Sequence, residues 1–187
     1  MCGRLNVIDD PVSQAVWEQL GLKFHTKTNR DLRPSESVSS LAGSHGALIQ
    51  QDLQWGIQPE WAKRLIINAQ AETVAVKPTF HAAFQQHRVV VPCCGWYEWQ
   101  ARENKKHKFL FRPSDQPIGY MAGIATADNR LVTLTTEASG ACLDYHHRMP
   151  VMLLPQEVPE WILSDASRAQ QLLLALADQH YCIEQMD

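Results

Sequence analysis

At 187 residues and a net charge of −3, the chain has the length of one domain and the composition of an ordinary globular protein. The slight acidity argues against a protein that coats duplex DNA non-specifically, although Lys and Arg can still gather in a local groove. No run approaches the ~20 apolar residues of a membrane helix and the opening residues lack a signal-peptide core, so a cytoplasmic monomer without membrane contact is expected.

Met1-Cys2-Gly3-Arg4 opens the chain. If Met1 is removed, Cys2 carries a free amine and a thiol on adjacent carbons. Such a 1,2-aminothiol attacks an aldehyde twice, first as the amine to give an imine, then as the thiol to close a thiazolidine. The second attack is intramolecular and gains the effective molarity of a tethered reactant. Taken by itself, Cys2 reads equally as an ordinary small residue at a frayed start. The five cysteines (Cys2, Cys93, Cys94, Cys142, Cys182) are odd in number and irregularly spaced, which suits reduced thiols. Cys93 and Cys94 are adjacent, so in a strand they face apart and do not clamp one metal. No metal or cofactor is expected.

In chain order, Asp10-Pro11 starts a helix over 11–20 whose apolar face is Val12, Ala15, Val16 and Leu20, with Gly21 as its stop. Residues 23–46 read as a polar loop and 47–53 as a strand or hairpin. Residues 55–63, rich in Trp, Gly and Pro, read as a structured loop. A helix is expected over 78–86, then a buried β-run over 88–92 that Gly95 interrupts before Trp96-Tyr97-Glu98-Trp99. A charged hairpin tip covers 101–107. Strands are expected over 108–112, 118–122, 131–136 and 151–154, a short helix over 159–163 and a last helix over 166–177 with Ala169, Leu172, Leu173 and Leu176 as its stripe. Many short strands with irregularly placed helices predict an α+β fold, its mainly antiparallel sheet curved toward a barrel and its helices peripheral.

Several residues can carry chemistry. Glu98 has aromatic neighbours on both strand faces; partly buried, it becomes a general acid, and at an open edge it is a solvated carboxylate. His146-His147-Arg148 precedes an apolar strand and reads as an exposed turn or as a titrating group beside an anion-holding guanidinium. Two adjacent His are not expected to face one site. Asn68 ends an apolar approach, either as a turn residue or as an amide that holds an amine or carbonyl; Glu72 and Thr73 are its candidate network partners. Trp61, beside Lys63, suits a base-stacking platform or a core plug.

These residues recur as ordered blocks. They are Met1-Cys2-Gly3-Arg4, Trp55-Gly56 with Pro59 and Trp61-Ala62-Lys63, Ile67-Asn68-Ala69 with Ala71-Glu72-Thr73, and Lys77-Pro78-Thr79-Phe80. Next come Arg88, Pro92 and Gly95-Trp96-Tyr97-Glu98-Trp99, Thr135-Thr136-Glu137-Ala138, and His146 with Arg148-Met149-Pro150. The set resembles the SRAP (SOS response-associated peptidase) family, most clearly over 1–163, within a single domain over 1–187. The resemblance implies a curved sheet with a groove for single-stranded DNA containing abasic sites. It also implies that Cys2 traps the ring-opened sugar aldehyde as a thiazolidine crosslink. By the same resemblance Asn68 positions the Cys2 amine, Glu98 is the acid–base group, and His146 assists proton transfer and reversal. Arg4, Trp61, Thr135 and Arg148 match positions that hold phosphates or stack bases.

The chain also departs from the family. Gln70 stands where family members usually carry Arg, removing one expected phosphate contact, and Arg33 can compensate in part. Glu60 sets a negative charge beside Trp61, and the family's closing segments are not found after about residue 177. Alternative expectations are a thiol (auto)peptidase of the N-terminal-nucleophile kind and a single-strand binder without catalysis. Association with the nucleoid is expected only on damaged DNA.

Overall fold

The structure, a computed structural model, describes residues 2–102, 105–176 and 178–186, with Arg102 described by its backbone. Four helices and thirteen strands occupy these residues, arranged as two sheets with the helices on one side. Antiparallel pairing dominates, so the expected α+β class with a curved antiparallel sheet stands.

Strands β1 (Leu5–Val7), β2 (Asn29–Leu32), β7 (Gly95–Arg102), β8 (Lys105–Pro113) and β13 (Tyr181–Met186) form a five-stranded sheet in the order β13-β8-β7-β1-β2. The N-terminal strand is thus inserted between two others. Tyr97 donates its N–H to the Arg4 carbonyl at 3.0 Å and Cys94 to that of Asn6 at 2.9 Å, which draws the first residues alongside β7.

The second sheet is built from β3 (Ser37–Ser44), β4 (Ala47–Trp55), β5 (Asn68–Gln70), β6 (Arg88–Cys93), β9 (Gly119–Ala125), β10 (Arg130–Glu137), β11 (Arg148–Pro150) and β12 (Met152–Leu153). Because β10 pairs with both β4 and β9, the path β10-β4-β3-β6-β9 closes on itself. One edge of β10 changes partner along its length. Arg130 and Leu131 lie against β4, whereas Thr133–Thr135 lie against β5. The chain between these partners, 56–67, is extruded as a loop and clasped by the Ile57–Ile66 bridge. Gly56 starts it at φ 108°, a backbone that L side chains rarely adopt, and an added Cβ would meet Leu65 at 2.6 Å.

Strand alternation explains the two cores. On β6, Val89, Val91 and Cys93 enter the core between the sheets, while Val90 joins the core beneath the helices, as does Cys94 just beyond the strand. A strand buried on both faces needs an unbroken apolar run, as residues 89–93 supply after Arg88. Helices α1 (Asp9–Leu20), α2 (Pro78–Gln86), α3 (Glu157–Leu163) and α4 (Ala166–Leu174) cover the second core with Val12, Val16, Phe84, Trp161 and Ala169. Asp10 is extended (φ −105°, ψ 108°), so regular helix starts at Pro11, and Gly21 ends it in the left-handed region at φ 67°.

Three expectations need correction. Residues 23–46 are not one loop: β2 and β3 lie there, with Ser40 fully buried and Val38, Leu41 and Ala42 in the cores. Serines masked the strand, because a small hydroxyl can be buried once it bonds locally, as Ser40 does to the Val38 carbonyl at 3.3 Å. The last helix ends at Leu174 rather than at 177, a residue outside those described. After it, β13 pairs with β8 over six residues, so the C-terminal segment completes a sheet edge. Of the charged hairpin tip, 101–107, residues 103 and 104 lie outside the described residues; β7 and β8 pair up to Arg102–Lys105 on either side.

Candidate functional site

Thr133–Glu137 on β10 is flanked by β5 on one side and by β11 on the other, through Thr135–Pro150, Thr136–Met149 and Glu137–Arg148. This register sets Asn68, Thr133, Thr135 and Arg148 across neighbouring strands. Above them opens a groove of about 620 Å³, lined by Trp61, Asn68, Gln70, Thr135, His146 and Arg148 among others. Trp61 is 68% exposed on the extruded loop, whereas Trp55 and Trp96 are core side chains. The Trp55 indole N–H donates to the Ile67 carbonyl at 3.2 Å, which anchors the chain one residue before Asn68.

Asn68 links the groove to the N-terminus. Its Nδ2 donates to the Cys2 carbonyl at 2.9 Å, and its Oδ1 accepts from the Thr133 hydroxyl at 2.6 Å. The same hydroxyl lies 3.1 Å from the Ile67 carbonyl, and Thr133 is fully buried. With Oδ1 committed to a donor, the amide presents its NH₂ to Cys2. Sequence reasoning missed Thr133. In an apolar strand it reads as a strand former, and the only available signal was a hydroxyl at a core position, which needs a partner.

Cys2 itself is 1% exposed, in the core between the sheets. Burial, reinforced by the negative charges of Glu98 and Cys93, pushes its thiol well above the ordinary value. Glu98, 4% exposed on β7, also has its carboxyl raised by burial, so it keeps a proton to higher pH than a solvated Glu. Around His146, burial lowers the imidazole pKa and favours the neutral ring. Its Nδ1 lies 2.9 Å from the Arg148 N–H, and its ring stacks on His147 at 4.4 Å. His147 lines the same groove, against the expectation that only one of the pair would face a site. Stacking lets the adjacent residues share a wall, because β11 begins only at Arg148 and strict strand alternation does not reach back to them.

The two arginines are already engaged, whereas Lys77 in the groove lining has no ion pair among the described residues. Arg148 forks onto Glu72 at 2.9 and 2.8 Å and donates to the Thr135 carbonyl at 2.7 Å. Glu72 thus partners Arg148 rather than Asn68, its expected partner, and this contact holds its carboxyl below the usual range; the Thr73 hydroxyl has no hydrogen-bond partner among the described residues. Arg4 stands apart from the groove lining. It bonds Asp31 at 2.8 and 2.9 Å, with Arg33 and Lys108 on the same carboxylate, and its guanidinium lies 5.3 Å from the Trp99 ring centre. Although partial burial opposes it, the hydrogen bonds from Arg33, Arg4 and Lys108 hold Asp31 well below the usual carboxylate range. The groove thus collects Trp61, Asn68, Thr135, His146 and Arg148; Cys2 joins through Asn68, Glu98 through its charge on Cys2.

A buried cysteine is thus held by an amide that lines the groove, with a buried acid acting on it and an exposed indole on the groove wall. The family model for SOS response associated peptidase (SRAP) matches residues 1–186. The chain belongs to the SRAP family. Among curated relatives, the abasic site processing protein YoaM of Bacillus subtilis is 28% identical over 181 residues, 87% of this chain and 79% of that protein. The abasic site processing protein YedK of Escherichia coli is 33% identical over 147 residues, 73% of this chain and 65% of that one. A solved structure of a phage-related protein from Bordetella bronchiseptica shares the fold with a TM-score of 0.84 at 22% identity, covering 99% of this chain and 94% of that chain.

Proposed function

We propose that the protein processes abasic sites in single-stranded DNA by forming a thiazolidine through Cys2 once Met1 has been removed. The observation that carries this reading is the Asn68 bridge, whose amide holds Cys2 at 2.9 Å while the same residue lines the groove. A lesion bound there would lie against the residue that has to react with it.

Glu98 donates a proton to the ring oxygen of the closed sugar hemiacetal, the C1′–O4′ bond breaks, and the C1′ hydroxyl returns a proton to the carboxylate, leaving the C1′ aldehyde and a 4′-hydroxyl. The Cys2 amine adds to C1′ and loses water to give the imine. The thiol then adds across the C=N bond, sulfur to carbon and proton to nitrogen, closing the five-membered ring. A raised thiol pKa keeps sulfur protonated until this step, and neutral His146 is a base able to take up and return protons. Trp61 packs into the gap left by the missing base, and Thr135 and Arg148 engage the flanking phosphates, with Arg4 farther along the strand.

The test is a denaturing gel of the protein incubated with a single-stranded oligonucleotide carrying one abasic site. A heat-stable band is expected, absent with Cys2→Ala. With Asn68→Ala the rate is expected to fall about 10²-fold, the cost of a slightly misplaced reactant. Reversible binding with no band in the parent protein would leave a non-catalytic binder, and peptide turnover without a band would favour a thiol peptidase.

A further inference from the structure

A second groove, of about 590 Å³, lies on the opposite face of the five-stranded sheet from Cys2. Leu5, Val7 and Phe111 turn into the core between the sheets, so alternation turns Asn6, Leu110 and Arg112 outward, where they line this groove. Its floor is buried: Asn6 is 6% exposed and Leu110 is 4% exposed. Its rim is charged and open, with Arg30 and Arg112 both exposed and Ile8 and Met186 adding apolar wall. The volume falls within the range of small-molecule sites, and a dry floor under a charged rim is how such sites divide affinity from orientation.

Two details point to a ligand. The Asn6 Oδ1 is buried and has no hydrogen-bond partner among the described residues. Native structures rarely leave such an oxygen unmatched. The rim also carries an unbalanced charge. Arg112 is paired with Glu184 at 2.8 Å, whereas Arg30 has no ion pair among the described residues, leaving a net +1.

We propose that this groove binds a small amphipathic monoanion. Its apolar body lies over Leu110, Ile8 and Met186, its acidic group meets Arg30 and Arg112, and an N–H or O–H on the body donates to Asn6 Oδ1. A dianion would exceed the charge available, and a purely apolar compound would leave both the arginine and the amide oxygen unmatched.

8-Anilinonaphthalene-1-sulfonate has all three features, an aromatic body, a sulfonate and a bridging N–H, and serves as the probe. Fluorescence titration is expected to show saturable binding of one dye per chain. Arg30→Glu is expected to weaken it at least tenfold and Asn6→Leu about fivefold. Alkylation of Cys182, the exposed cysteine on the groove rim, is expected to block it. Arg30→Glu changes an exposed side chain and keeps the test valid if Asn6→Leu does not fold. The proposal falls if saturable binding is absent at millimolar dye, or if Arg30→Glu and Cys182 alkylation both leave affinity unchanged. Displacement of the dye by a single-stranded oligonucleotide would place it in the Cys2 groove and also overturn the proposal.

Discussion

At Asn68, one amide end takes the Thr133 hydroxyl and the other gives to the Cys2 carbonyl, so a rotation would break both bonds. This contact holds Cys2 through its backbone carbonyl and makes no bond to its thiol. Glu98 is the converse case, a group kept reactive by an unfavourable site. Its pKa is raised in the fold by burial, so the folded chain holds a proton that the unfolded chain releases. The stability it contributes is fully present below the ordinary Glu value of ~4.3 and is lost as pH rises through the raised value. Glu98→Gln removes that titration. Its melting temperature is expected to gain on the parent protein as pH climbs from 4 to 8, while crosslinking is lost. Melts recorded across that range check this, and a difference that is constant with pH would refute it. Motifs made Cys2, Asn68, Glu98 and His146 legible as residue types, and the aromatic flanks of Glu98 gave the direction of its shift on the condition of burial; Thr133 and the burial itself could not be read, because both depend on side chains distant in the chain.

Arg88 shows how single elements are tied together. It is 5% exposed and donates to Trp161 O at 2.7 Å, Phe84 O at 2.6 Å, Gln85 O at 3.1 Å and Ser164 O. These carbonyls lie at the C-terminal ends of α2 and α3, neither of which has a basic residue in its last turn. One guanidinium therefore satisfies the orphan carbonyls of two helices. Arg88→Met leaves them unpaired and is expected to cost about 3 kcal/mol, a fall in melting temperature of about 6–12 °C by thermal denaturation. Arg88→Lys should recover only part, since an ammonium lacks the planar reach. At this scale the buried run 88–92 and the helix after Pro11 were readable from periodicity. The strand around Ser40 and the final β13 were not: serine-rich or weakly alternating segments become strands only because a neighbour offers an edge.

Charge balance is a property of the whole molecule. The net charge is −3; in the groove lining Arg148 is matched by Glu72 while Lys77 has no ion pair among the described residues, and outside the lining Arg4 shares Asp31 with Arg33 and Lys108. DNA binding through these arginines therefore requires exchanging an internal carboxylate for a phosphate. Gln70 lines the groove without adding charge. Gln70→Arg is expected to tighten binding to single-stranded DNA and steepen its log–log salt dependence by about 0.7, the increment for one more phosphate contact. Glu72→Gln should act in the same direction by releasing Arg148. Affinity measured between 50 and 200 mM salt tests both; an unchanged slope in the two variants would mean that neither position faces the backbone of the bound strand.

By itself the sequence determined the family, the α+β class and the residue types of the candidate site around Cys2, because motifs and alternation are local properties of the chain. Tertiary structure alone decided which groups meet: that β1 runs beside β7, that β10 exchanges β4 for β5 and so extrudes the Trp61 loop, and that Thr133 fixes the Asn68 amide. It also set the direction in which burial moves the pKa values of Cys2, Glu98 and His146. The reason is physical. Desolvation and long-range pairing depend on what surrounds a residue in space, and for Cys2 the backbone partner, Asn68, lies 66 positions away in the chain while the charges that act on its thiol belong to Glu98 and Cys93.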